Sequence, residues 1–225
     1  MLSLARRPLS AAVPAGNLLG IHLFQCPDAV GIVAKLSECI ASRGGNIHSV
    51  DVFVPDDAPV FYARSEFTYN PRLWPRDMLR TDFLHLSDCF NAQKSTVRVP
   101  DIDPKYKIAV LASKQVMSES FLKSYGKDII NIHHGLLPSF KGGSPSRQAF
   151  NAGVKLIGAT SHFVTPELDA GPIIEQMVER VSHRDTLHSF VVKSENLEKQ
   201  CLAEAIKSYC ELRVLPYEVM KTVVF

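Results

Sequence analysis

The sequence predicts an α/β protein in two parts, a βαββαβ unit over residues 18–99 and a shorter α/β unit over residues 107–225. Three observations predict it. In the first hundred residues, runs with apolar residues alternating two apart are separated by two stretches with apolar residues at helical spacing. Pro100-Asp101-Ile102-Asp103-Pro104 then interrupts all periodicity, so residues 100–106 read as a linker. Beyond it, two apolar β-rich runs each pass into a turn rich in Gly and Pro, Asn131–Gly142 and Thr160–Pro172. The carboxyl ends of strands are where α/β proteins place their chemistry.

The chain in order justifies each element. Residues 1–17 hold Arg6, Arg7, Ser3 and Ser10 and no acid. That pattern is the signature of an organelle transit peptide, with a mitochondrion favoured over a plastid and an address-free tail as the other reading. Leu18–Phe24 alternates as a strand, and Cys26-Pro27-Asp28 breaks it. Gly31–Ser42 reads as an amphipathic helix, with Ile32, Val33, Leu36 and Ile40 on one side and Asp28 as its cap; Gly44-Gly45 stops it. Asn46–Val54 and Val60–Tyr69 are strands joined by a hairpin turn at Pro55-Asp56-Asp57. Arg76–Phe90 is a helix, and Thr96–Val99 a closing strand. This order is the ferredoxin-like arrangement.

In the second unit Lys107–Ala112 reads as a buried parallel strand. Glu119–Tyr125 is a short helix, Ile129–His133 a strand, Ser146–Asn151 a short helix and Val154–Val164 a long strand. Glu167–Gly171 is a tight turn and Pro172–Val181 the returning strand. Thr186–Leu212 is a long helix whose stripe includes Leu187, Phe190, Leu197, Cys201 and Ala205. Lys221–Phe225 is a short closing strand.

Composition narrows the class. The 225 residues suffice for one large or two small domains with a real core. An apolar fraction of 46% and a mean hydropathy near zero indicate an ordinary globular protein. A net charge of +2 gives no reason to expect nucleic acid or an anionic membrane as partner. No apolar run approaches the roughly 20 residues that cross a bilayer. The five cysteines are scattered, without a CxxC pair, and read as reduced thiols.

The candidate chemistry follows from residue types and alternation. Asn131 and His133 share one face of an extended strand and His134 points to the other, which argues against a His133–His134 metal chelate. An amide (Asn131), two imidazoles (His133, His162) and a turn carboxylate (Asp169) suit addition of a nucleophile to a carbonyl, with donors for the oxyanion and a group to move protons. Pro172 stiffens the turn that carries Asp169. Lys141-Gly142-Gly143 reads either as an anion nest or as a loop over the pocket. Ser139 and Ser146 lack an acid–base partner at readable spacing, which argues against a serine hydrolase, and Lys107–Ser113 holds no glycine motif for phosphate.

Asn131-x-His133 with Leu136-Leu137-Pro138, then His162 seven residues before Asp169 in Leu168-Asp169-x-Gly171-Pro172, resembles the folate-dependent formyltransferase family. Asn131-Ile132-His133-His134, in place of the transferases' Asn-Ile-His-Pro, is most similar to its deformylase branch. The resemblance implies a Rossmann-like catalytic domain that hydrolyses 10-formyltetrahydrofolate, as substrate and not as cofactor, to tetrahydrofolate and formate in one-carbon metabolism. It implies no metal and no other cofactor. Asn131, His133, Asp169 and His162 would be catalytic. His134, Gly135, Leu137, Lys141, Gly142, Leu168 and Gly171 would contact substrate.

The family places further βα units between Gln115 and residue 119. At the size of such units, on the order of 80–90 residues are missing there, so the catalytic domain is a shortened one. The first unit resembles an ACT domain, through Asp28-x-x-Gly31 and Gly45-Asn46-Ile47. That implies an amino-acid effector at Asp28, Gly31 and Asn46, and a homo-oligomer. Two rival readings are a formyltransferase to an amine acceptor and a non-catalytic product in which only the ACT half binds.

Overall fold

The computed structural model describes residues 16–106, 117–217 and 220–225, in two compact units, Met1–Lys107 and Ile108–Phe225. The expected transit segment up to residue 15, the strand at 107–112 and the junction at Gln115 lie outside the described residues.

In the first unit β1 (Leu18–Pro27) and β3 (Val60–Tyr69) pair antiparallel along their whole length, from Leu18↔Tyr69 to Pro27↔Val60. β4 (Lys94–Arg98) adds to the free side of β1 and β2 (Asn46–Phe53) to that of β3, giving the order β2-β3-β1-β4. The helices α1 (Ile32–Ala41) and α2 (Arg76–Cys89) bury Ile32, Leu36 and Ile40, and Leu79, Phe83 and Leu86. These four- and three-residue spacings put each set on one stripe; Leu36, Ile40, Leu79, Phe83 and Leu86 pack with Phe67, Tyr69 and Trp74, and Ile32 packs with Phe24, Cys26 and Phe61. Trp74 is wholly buried, and its indole N–H donates to Asp82 at 2.8 Å. Arg43 also donates to Asp82 through two nitrogens.

Two details correct the sequence reading. Asp28 does not cap α1: Gly31 holds the N-cap position at φ 92, with no side-chain cap bond. A side-chain cap must come from the N-cap residue itself, and Asp28 stands three residues too early; its backbone N–H goes to the Pro59 carbonyl. The linker is also anchored. Arg76 grips Asp103 with Nε and Nη2 at 2.8 and 3.0 Å, and Asp103 Oδ2 accepts the Val99 N–H at 2.8 Å.

The second unit begins with α3 (Glu119–Tyr125), capped by Ser118, whose hydroxyl accepts the Phe121 N–H, and ended by Gly126 at φ 60. β5 (Ile130–His133), α4 (Pro145–Asn151), β6 (Leu156–Phe163), β7 (Ile173–Arg180), α5 (Leu187–Cys210), β8 (Val214–Tyr217) and β9 (Lys221–Val224) follow. The sheet order is β5-β6-β7, with β8-β9 as a separate ribbon. Among the described residues every strand pair of this unit is antiparallel, so the parallel pairing expected of a Rossmann-like sheet does not occur within them. The short turn between β6 and β7 allows only reversal, because a parallel pair needs a crossover of a dozen or more residues. β8 was not anticipated: Pro216 within Val214-Leu215-Pro216-Tyr217 spoils the strand signature, and is tolerated in a two-stranded ribbon.

α5 covers one face of the β5-β6-β7 sheet. Ala205 packs with Phe163, Ile174 and Val214, and Phe190 with Ala149 and Ile157. The Cys201 thiol sits 3.4 Å from Ser161 Oγ and beside the Ala159 and Glu175 carbonyls. The buried stripe also carries Ser194 and Ser208.

Candidate active site

The antiparallel register of β5 and β6 places Asn131 opposite His162 and His133 opposite Thr160. Directly opposed residues project to the same side of a sheet. These four side chains therefore share the face turned away from α5, while Ile130, Ser161 and Phe163 belong to the α5 side. Asn131 is exposed; His133, Thr160 and His162 are buried.

Asp169 reaches this face from the turn between β6 and β7. Its backbone is left-handed at φ 52, a region that Asp tolerates better than most side chains. Its carboxylate is buried between the two imidazoles. Oδ2 lies 3.3 Å from His133 Nδ1, and Oδ1 lies 3.9 Å from His162 Nε2. Oδ2 also accepts the Gly142 N–H at 2.9 Å.

Partners fix the protons on both rings. His133 Nε2 is 3.1 Å from the Phe140 carbonyl, which can only accept, so Nε2 carries hydrogen. Nδ1 is then the ring nitrogen that faces Asp169 Oδ2. Burial pushes His133 below the ordinary imidazole range; the Asp169 charge and the Phe140 bond work against that, and His162 and His134 add to it. His162 gives Nδ1–H to its neighbour's carbonyl, Phe163 O, at 2.8 Å. Its Nε2 is buried without a hydrogen-bond partner and lies on the Asp169 side.

A second layer holds the 134–142 segment. Thr160 Oγ1 donates to the Gly135 carbonyl at 2.7 Å and accepts from the Leu137 N–H at 3.1 Å and from Gln176 Nε2 at 3.0 Å. Gln176 also donates to the Leu137 carbonyl at 2.9 Å. Phe140, Gly142 and Ser144 have positive φ, and the Phe140 carbonyl and Gly142 N–H bring the loop back to His133 and Asp169.

The remaining residues expected at the site divide. Leu137 is buried. Gly135 has a packing reason, since a Cβ there would lie 3.2 Å from His133 Nε2 and 3.3 Å from Pro145 Cβ. Gly171 has a stronger one: a Cβ would fall 1.7 Å from the Phe163 carbonyl oxygen. Leu168 is half exposed, and Lys141 pairs loosely with Glu167 at 3.7 Å. His134 stands apart from the face that carries His133 and His162, with its Nδ1 2.6 Å from Glu198 of α5. In the first unit Asp28, Gly31 and Asn46 are exposed. Sequence reasoning missed Phe140, Thr160, Gln176 and Glu198. Thr160 and Gln176 could have been found as register partners of His133 across β6 and β7; Phe140 acts through its carbonyl and leaves no side-chain signal.

Among the described residues no group of three or more His, Cys, Asp or Glu side chains is arranged to hold a metal ion. Among them also, no helix is long and apolar enough to cross a membrane.

The fold and this face define a formyl transferase-type α/β unit, and the formyl transferase family profile matches residues 98–206. Over 295 aligned positions the chain is 50% identical to formyltetrahydrofolate deformylase 1, mitochondrial, of Arabidopsis thaliana, covering 96% of this chain and 91% of the relative. The formyltetrahydrofolate deformylase of Bacillus subtilis is 48% identical over 111 residues, 49% of this chain and 37% of its own length. The crystal structure of a formyltetrahydrofolate deformylase from Pseudomonas syringae superimposes with a TM-score of 0.81 at 28% identity, covering 94% of this chain and 95% of that one. That of Burkholderia mallei gives 0.80 at 27%, covering 92% and 99%. The chain belongs to the formyltetrahydrofolate deformylase family. The alignment with the Arabidopsis protein is 295 positions long and this chain has 225 residues, so part of the relative's aligned length has no counterpart here.

Proposed function

We propose that the chain hydrolyses 10-formyltetrahydrofolate to tetrahydrofolate and formate. The observation that carries this reading is a buried carboxylate, Asp169, set between two imidazoles whose tautomers are fixed by backbone carbonyls. Water held at Asp169 attacks the formyl carbon, forming a C–O bond. Its proton passes to Asp169 or to the open Nε2 of His162. The oxyanion forms on the Asn131 and His133 face, where the formyl oxygen takes over the Nε2–H that Phe140 now holds. The C–N bond breaks as the departing nitrogen receives a proton from the His133–Asp169 pair, and formate leaves. The folate is substrate, and these steps use side chains without metal or other cofactor.

A formyltransferase to an amine acceptor would use the same face. Stopped assays with and without added amines separate the two: turnover at the same rate in water alone supports hydrolysis, and turnover only with an amine overturns it. The other residues at the loop, Gly135, Leu137, Lys141, Gly142, Leu168 and Gly171, shape the folate side of the site, with His134 behind them.

The first unit is read as a ferredoxin-like ACT module. Its βαββαβ order and the β2-β3-β1-β4 sheet support that reading. Asp28, Gly31 and Asn46 would meet an amino-acid effector, in a homo-oligomer. Gly31 leaves open space where a Cβ would stand. The names of the Arabidopsis relatives and the Arg6-Arg7 segment support a mitochondrial address. The missing βα units fall after Gln115, where the motif flanks close up.

A further inference from the structure

We infer that Glu198 is a positioning residue for His133, acting through His134 to fix the carboxyl end of β5 against α5. The inference rests on the hydrolytic reading above for its kinetic test, and on geometry alone for its structural one. His133 and His134 are adjacent and point to opposite faces of the sheet. On the site face, His133 meets Asp169 and the Phe140 carbonyl. On the α5 face, His134 Nδ1 lies 2.6 Å from Glu198 Oε1.

The contact closes a ring. Ser194 Oγ, buried one turn before Glu198 on α5, lies 3.4 Å from the same Oε1. Ser146 Oγ, at the start of α4, reaches Ser194 Oγ and the His134 carbonyl, each at 3.5 Å. Side chain and carbonyl of His134 are thus tied to one patch of α5. The next residues are tied to the sheet, through Thr160 and Gln176. His133 directly precedes both sets of ties, so its ring angle toward Asp169 depends on both.

The pair is also electrostatic. The charged groups facing His134 are Glu198 and Glu195 of α5 and, more distantly, Asp169 of the turn, with His133 beside it. The Glu198 hydrogen bond and charge hold His134 above the ordinary imidazole range, against its partial burial. A protonated His134 in turn discourages protonation of His133.

The test is Glu198→Gln, with Glu198→Asp and His134→Gln alongside, read by kinetics and by ¹⁵N NMR of the histidine rings in the full chain. The expected result for Glu198→Gln is kcat lower by roughly tenfold with KM little changed. The His134 titration moves to lower pH, and the His133 ring loses its single Nε2–H signature. Glu198→Asp recovers part of each, and His134→Gln reproduces the His133 change. Unchanged His133 ring shifts and unchanged kcat in Glu198→Gln overturn the inference, even if thermal stability falls. Should the unmodified chain release no formate, the hydrolytic reading fails, and the His133 ring signature alone decides this one.

Discussion

Gly171→Ala is expected to destabilise the second unit far more than its size suggests. The added Cβ would sit 1.7 Å from the Phe163 carbonyl oxygen, 2.8 Å from its carbon and 3.3 Å from Thr165 Cγ2. Ordinary carbon–oxygen contacts are at about 3.3–3.6 Å, so backbone must retreat by more than an ångström. It is not free to do so: Phe163 N–H bonds the Pro172 carbonyl at 2.9 Å, and Val164 N–H bonds the Ile129 carbonyl at 2.8 Å. Overpacking costs about 1–3 kcal/mol and a lost backbone hydrogen bond about 1 kcal/mol more. For a unit of this size that lowers Tm by on the order of 10 °C. Gly142→Ala is the control. Its φ is +83 but nothing stands within 4 Å of the added Cβ, so only the left-handed backbone penalty of about 1–2 kcal/mol applies. Far-UV circular dichroism melts measure both. A Gly171→Ala transition as high as that of the unmodified chain, or one higher than that of Gly142→Ala, would refute the steric account of this turn.

Two further outcomes follow from buried polar groups. His22 is wholly buried against Phe24 and Phe83, and burial lowers its pKa to about 3. Between its ordinary value near 6.5 and about 3 the unfolded chain binds the proton and the folded chain does not. The first unit should therefore lose about 1.4 kcal/mol per pH unit across that window as pH falls, with no such slope above it. Urea titrations followed by the single tryptophan, Trp74, check this, and His22→Gln should flatten the slope. Thr160→Val leaves the Gly135 carbonyl and the Leu137 N–H without their hydroxyl partner. A loss of about 2–4 kcal/mol of stability in urea unfolding is expected, together with a fall in kcat as the loop over His133 loosens.

Most of the element order was legible because its signals are local. Ile32, Leu36 and Ile40 announce α1 at helical spacing, and Asn131 and His133 alternate onto one face without reference to the rest of the chain. What was not legible depends on registry or on backbone. Asp28 has the residue type of a cap, but Gly31 takes the cap position because the chain turns left-handed there. The Phe140 carbonyl that fixes the His133 tautomer belongs to a side chain with no polar atom. Thr160 and Gln176 become a hydrogen-bond hub only once β5, β6 and β7 are in register. Glu198 lies on a helix whose stripe was read by its apolar members, so a carboxylate at its margin drew no notice. Gly171 looked like part of a substrate motif, and the structure gives it a steric reason of its own.

On the proposed reading Asp169, between His133 and His162, makes this chain a hydrolase of the formyl group. Formate release from 10-formyltetrahydrofolate by the purified chain, compared with Asp169→Asn, is the test of that role. Asn fits the left-handed backbone and can still accept the Gly142 N–H, so the fold is kept while the proton carrier is lost. Steady formate release without any amine is expected, reduced at least about a hundredfold in Asp169→Asn. A folded chain that releases no formate, or an Asp169→Asn chain as active as the unmodified one, overturns this role for Asp169.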